Sequence, residues 1–137
     1  MPSLCVTHDE ADRFTVCVRN HELAVDQPIG DGGDDTGLSP VEMFVASLAA
    51  CVGHYARRYL HRHQLPEDPL TVSAHWTMAD KPPRIGSMRF DLGISDEVPP
   101  ERRRAVLAVA SHCTLHNTFV APPDIDIGLA ELDNPAA

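Results

Sequence analysis

The sequence predicts a single α+β domain over residues 1–137, with the element order β-β-β-α-β-β-α-β. Three observations carry that expectation. Short segments near both ends of the chain alternate apolar and polar residues, the period-two pattern of strands. Between them, Ser39-Pro40-Val41-Glu42 opens a long apolar stripe at helical spacing. A second helical stretch begins at Pro99-Pro100-Glu101. A chain of 137 residues can build one core and is too short for two ordinary domains.

Taken in order, Leu4/Val6, Phe14/Val16/Val18 and Leu23/Val25 predict three short strands, with turns at Asp9–Asp12 and Asn20-His21. Cys5 and Cys17 fall on the face opposite the large apolar side chains, where they read as small residues in a sheet. Residues 26–38 form a loop rich in glycine and aspartate. Asp31-Gly32-Gly33-Asp34-Asp35 faintly resembles a calcium loop but lacks the alternating ligands and closing Glu, so a flexible connection is expected. Ser39 is a good helix N-cap, Pro40 suits the first helical position, and Glu42 completes a capping box. The helix is expected to run from Pro40 to about His63, where Leu65-Pro66 and Pro69 stop it. Val41, Phe44, Val45, Leu48, Val52, Tyr55, Ala56 and Tyr59 give it one apolar face, with Cys51 on the rim. Arg57, Arg58, His61, Arg62 and His63 suit the negative end of the helix dipole.

Residues 70–78 and 87–94 alternate cleanly and predict a hairpin around Pro82-Pro83, with Trp76 packed in the core. A second helix is expected from Pro100 through Cys113, so that each helix carries one thiol. The stretch Asp124–Leu129 reads as a last strand and Asn134–Ala137 as a frayed tail. Strands from both ends of the chain are expected to form one sheet under helix 40–63.

A net charge of −9 argues against nucleic acid and anionic membrane as partners. No basic region precedes an apolar run at the N-terminus, and no apolar stretch reaches the roughly 20 residues of a membrane span. A cytoplasmic protein with four reduced cysteines is therefore expected.

Three readings of Cys51 and Cys113 follow. In the first they are a redox pair: one thiolate attacks an O–O bond and becomes a sulfenic acid, and the other condenses with it to a disulfide. That chemistry needs a cation near the attacking sulfur. In the second, Cys51-x-x-His54 and Cys113-x-x-His116 supply a Cys₂His₂ zinc set. In the third, both are small residues buried in helix packing.

Ser39-Pro40-Val41-Glu42-Met43-Phe44 leading to Leu48-Ala49-Ala50-Cys51 is similar to the Pro-x-Glu-Leu…Ala-Cys signature of the OsmC/Ohr family, the osmotically inducible and organic hydroperoxide resistance proteins. His112-Cys113-Thr114-Leu115-His116-Asn117-Thr118 resembles that family's second signature, Cys-Pro-Val-His-x-Thr. The resemblance covers roughly residues 3–130 and implies an OsmC-like fold, an intertwined homodimer with a buried central helix and active sites at the subunit interface. It implies a thiol-dependent peroxidase acting on organic hydroperoxides or hydrogen peroxide, with Cys51 as the peroxidatic and Cys113 as the resolving cysteine. The reductant would be a dithiol such as a lipoylated protein. No metal or other cofactor is expected. The alternative within the resemblance is a thiol–disulfide protein, or a small-ligand- or zinc-binding dimer. Two positions depart from the family pattern. Val41 stands where the peroxidase branches carry a Glu, and residues 20–56 contain no arginine, leaving Arg13 and Arg19 as the upstream candidates.

Overall fold

The computed structural model describes residues 1–131, so the expected tail at Asn134–Ala137 lies outside the described residues. The elements are β1 (Cys5–Glu10), β2 (Arg13–Val18), β3 (His21–Val25), α1 (Pro40–Arg62), β4 (Leu70–Ala79), β5 (Arg84–Ile94), α2 (Pro100–Ala110) and α3 (Thr114–Val120). A single 3₁₀ turn at Ile29–Asp31 interrupts the loop before α1.

β1, β2 and β3 form an antiparallel meander through two tight turns, at Ala11-Asp12 and Arg19-Asn20. The second turn sits one residue earlier than its Asn-His sequence predicts. Ala11 and Arg19, the first residue of each turn, take φ of 49° and 53°, the left-handed conformation that two-residue hairpins require. β4 and β5 form a separate two-stranded hairpin, with a register shift between Thr77 and Met78.

The predicted capping box starts α1. Ser39 Oγ accepts from Glu42 N–H, and Glu42 Oε1 accepts from Ser39 N–H at 2.9 Å. The Ser39 bonds hold the Glu42 carboxyl below its usual range. Upstream, the carboxylate of Asp26 is buried and organises the loop. It accepts from Gln27 N–H, Thr36 N–H and Thr36 Oγ1–H at 2.7, 3.0 and 2.6 Å, and these bonds, led by the Thr36 hydroxyl, depress its pKa. Gly37 lets the loop cross β3 closely, because a Cβ there would overlap the Ala24 carbonyl.

The core lies where α1, α2 and the β4–β5 hairpin meet. Ala56, Leu60, Val98, Val106 and Ala110 are fully buried, and Val52, Tyr59, Leu92 and Ile94 pack around them. Two alanines, Ala56 on α1 and Ala110 on α2, occur within this cluster. Small contact residues shorten the distance between helix axes.

Four expectations need correction. α2 ends at Ala110, and Cys113 caps a third helix instead of closing the second. Residues 124–129 form no strand, because no strand among the described residues pairs with them. Strands from the two ends do not share a sheet, and α1 rests on the β4–β5 hairpin and α2. Trp76 is 38% exposed on β4 rather than packed in the core.

Candidate active site

The site forms where the middle of α1 meets the start of α3. α1 carries Cys51 half-buried on the rim of its apolar face, as helical spacing predicts. Its neighbour Leu48 turns into the interior. Cys113 is fully buried and has extended backbone, φ −68° and ψ 161°, which is the geometry of an N-cap. Its sulfur accepts from the His116 N–H at 3.4 Å and its carbonyl accepts from Asn117 N–H at 3.0 Å.

The fold brings the two thiols near each other, close enough for Cys51 to raise the pKa of Cys113. Burial pushes the Cys113 thiol up. The His116 N–H opposes that shift, and Cys51 adds to it. A raised pKa favours the protonated form of Cys113.

A second bond joins the same two elements. Tyr55, one turn after Cys51, and Thr114, the residue after Cys113, share a hydroxyl–hydroxyl hydrogen bond of 2.6 Å. Thr114 occupies the position of the proline in the family signature. Helical periodicity places Tyr55 on the apolar face and assigns Thr114 no role. Their signals are the spacing of Tyr55 from Cys51, which puts both on one side of the helix, and the hydroxyl beside Cys113.

Most of the arginines that have a described partner are engaged with groups other than the thiols. Arg58 sits over the Tyr55 ring at 5.8 Å. Arg13 pairs with Asp9, Arg57 with Glu67 and Arg89 with Asp91. Arg102 reaches Tyr59 and His63, and Arg103 donates to the Ser95 carbonyl. Arg19 occupies the β2–β3 turn. Glu42 is engaged in the capping box. His54 is exposed and meets the edge of Tyr55, while His112 Nδ1–H donates to the Ala108 carbonyl at 2.8 Å. Among the described residues no group of three or more His, Cys, Asp or Glu side chains is placed to hold a metal ion, so the Cys₂His₂ set does not assemble.

An open cavity of about 450 Å³ lies between α1, β5 and α3, lined by sequence neighbours of both cysteines and by neither cysteine itself. Leu48 and Val52 of α1, Met88 and Phe90 of β5, and Phe119 of α3 give it apolar walls, and His116 and Ser111 give it a polar edge. Among the described residues no helix is long and apolar enough to cross a membrane.

The model of the OsmC-like protein family matches residues 32–128, which include both cysteines. No curated protein matches the sequence. A putative osmotic stress induced and detoxification response protein from Psychrobacter arcticus is similar in structure, with a TM-score of 0.80 at 19% identity, covering 86% of this chain and 88% of that one. The OsmC-like protein of Mycoplasma pneumoniae gives 0.76 at 15% identity, with 89% of each chain covered. The organic hydroperoxide resistance protein OhrB of Bacillus subtilis gives 0.62 at 16% identity, covering 88% of this chain and 92% of that one. At such identities these likenesses establish the fold. With the family model spanning most of the chain and both cysteines inside the matched region, the chain belongs to the OsmC-like protein family.

Proposed function

We propose that this protein is a thiol peroxidase of the OsmC type. The observation that supports the reading is the proximity of half-buried Cys51 and buried Cys113 at the α1–α3 junction, near enough for one to shift the other's pKa. Cys51 thiolate attacks one peroxide oxygen. The S–O bond forms, the O–O bond breaks, and the alkoxide leaves as an alcohol after taking a proton. Cys113 then attacks the sulfenic sulfur. The S–S bond forms, the S–O bond breaks, and the Cys113 proton leaves with the hydroxide as water. A small dithiol or a lipoylated protein returns both sulfurs to thiols. The apolar walls of the adjoining cavity suit the alkyl part of an organic hydroperoxide better than hydrogen peroxide.

The working unit in this reading is a homodimer. The β1–β3 sheet makes no extensive packing contact with the other described elements. It leaves Val6, Phe14 and Leu23 exposed, and Ile125, Ile127 and Leu129 are exposed as well. A second copy covers such surfaces, and in doing so can carry Arg13 or Arg19 toward Cys51. Sedimentation at micromolar concentration is expected to show a dimer. A stable monomer contradicts this part of the reading.

Mass spectrometry after hydroperoxide treatment tests the chemistry. Wild type is expected to form one intrachain 51–113 disulfide. Cys113→Ser stops at sulfenic acid or goes on to sulfinic acid on Cys51, and Cys51→Ser leaves Cys113 unoxidised. Sulfenic acid on Cys113 in Cys51→Ser reverses the order of the two thiols. The engagement of Arg13, Arg57, Arg89, Arg102 and Arg103 with other partners favours a second reading, thiol–disulfide exchange without peroxide reduction. A 51–113 disulfide that forms with oxidised glutathione but not with excess hydroperoxide selects it.

A further inference from the structure

We propose that Cys5 and Cys17 form a second dithiol, separate from the helical pair, which closes reversibly to a cross-strand disulfide on the outer face of the N-terminal sheet. The two residues are direct partners in the β1–β2 ladder. Opposed residues in an antiparallel pair have Cα atoms about 4.5 or 5.5 Å apart, according to the type of pair, and both values fall in the range a disulfide spans. Direct partners point to the same face of the sheet, so the sulfurs need only rotate toward each other.

That face is the polar one. Thr7 Oγ1 lies 3.8 Å from Cys5 sulfur, Thr15 donates to Asp9 at 2.6 Å, and Arg13 pairs with Asp9. The apolar side chains Val6, Phe14 and Val16 alternate onto the other face, the one a second copy would cover. Cys5 is exposed, Cys17 half-buried, and both are free thiols. β1 is an edge strand, so the link would staple the edge to the central strand β2. An exposed cross-strand disulfide belongs to the labile class that small thiols can reduce.

With oxidised glutathione as oxidant, one sulfur first takes up a glutathionyl group and releases one glutathione. The second sulfur then displaces the other glutathione and closes the 5–17 bond. Two thiol protons leave with the two glutathione molecules, and the protein dithiol is oxidised by two electrons.

The test is a non-reducing tryptic map of the folded, full-length protein equilibrated with oxidised glutathione. Trypsin cuts after Arg13 and Arg19, so closure links peptide 1–13 to peptide 14–19 with the loss of two hydrogens. The protein runs as a monomer on a non-reducing denaturing gel, and reduced dithiothreitol restores the separate peptides. Cys17→Ser is expected to trap Cys5 as a stable glutathione adduct. The Cys51→Ser/Cys113→Ser variant is expected to form the same link, independent of the helical pair and of peroxide reduction. Folded wild type that keeps Cys5 and Cys17 reduced or singly glutathionylated overturns the proposal, as does a link confined to proteins that retain Cys51 and Cys113.

Discussion

Tyr55→Phe removes one oxygen from the site and leaves the ring that Arg58 covers. The lost bond is the 2.6 Å contact with Thr114, which ties α1 one turn beyond Cys51 to the residue following Cys113. While the bond is made, the junction between α2 and α3 is ordered and Cys113 is held beside Cys51. Without it the reduced protein gains freedom at that junction, and closing the disulfide costs more entropy. A part-exposed neutral hydrogen bond contributes about 0.5–1.5 kcal/mol net, which bounds the effect at about 2- to 13-fold in the effective concentration of the two thiols. A tenfold change corresponds to about 30 mV for a two-electron couple, so the 51–113 midpoint is expected to rise by about 10–30 mV in glutathione redox buffers. Thr114→Val is expected to give the same shift, and Thr114→Ser, which keeps the hydroxyl, little or none. The double variant Tyr55→Phe/Thr114→Val should lose no more than either single one, the mark of one shared interaction. A merely structural bond lowers thermal stability and leaves the midpoint alone. An unchanged midpoint in Tyr55→Phe, or additive shifts in the double variant, refutes the reasoning.

Two further outcomes concern the entry to α1. Ser39→Ala removes the acceptor of the capping box and is expected to cost about 1 kcal/mol, read as a melting temperature about 3–5 °C lower, while the reactivity of Cys51 per folded molecule stays the same. Asp26 and Glu42 both have depressed pKa values in the folded protein, so they bind protons less readily there than in the unfolded chain. Their contribution to stability is therefore complete above the ordinary carboxylate range near about pH 4 and is lost as pH falls through the folded values. Denaturant titrations across that interval should show wild type losing stability more steeply than Asp26→Asn, and parallel curves would remove Asp26 as the loop's anchor.

The legible parts of the fold were those whose cause is local. The capping box at Ser39 and Glu42 needs only four consecutive residues, and both reciprocal bonds are present. The paired hairpins follow from alternation and turn residues. The position of Cys51 on the rim follows from helical geometry alone. The start of α3 was not legible in the same way. His112-Cys113-Thr114 continues the apolar spacing of α2, and cysteine is a weak cap by type. What stops α2 is a turn at Ser111-His112, where Ser111 Oγ–H donates back to the Leu107 carbonyl and His112 to Ala108. Those bonds depend on side-chain placement that periodicity does not encode. The Tyr55–Thr114 bond joins residues far apart in sequence, and neither hydroxyl announces the other.

The failed strand at Asp124–Leu129 has a different cause, and it bears on assembly. Its alternation is as regular as that of β3, yet a strand is a property of a pair, and this segment finds no partner among the described residues. Ile125, Ile127 and Leu129 are 81%, 91% and 104% exposed, values no soluble chain sustains cheaply at three alternate positions. The N-terminal sheet shows the complementary condition. It is fully paired within itself but packs on little else, with Phe14 and Leu23 on its open face. α1 adds Phe44, 43% exposed and meeting an exposed Phe119 edge to face at 5.5 Å. In the homodimer proposed above, a second copy would supply the pairing that residues 124–129 lack among the described residues and would cover the open faces of the N-terminal sheet and α1. The alternation that misplaces a strand when read for one chain then becomes physical information about two.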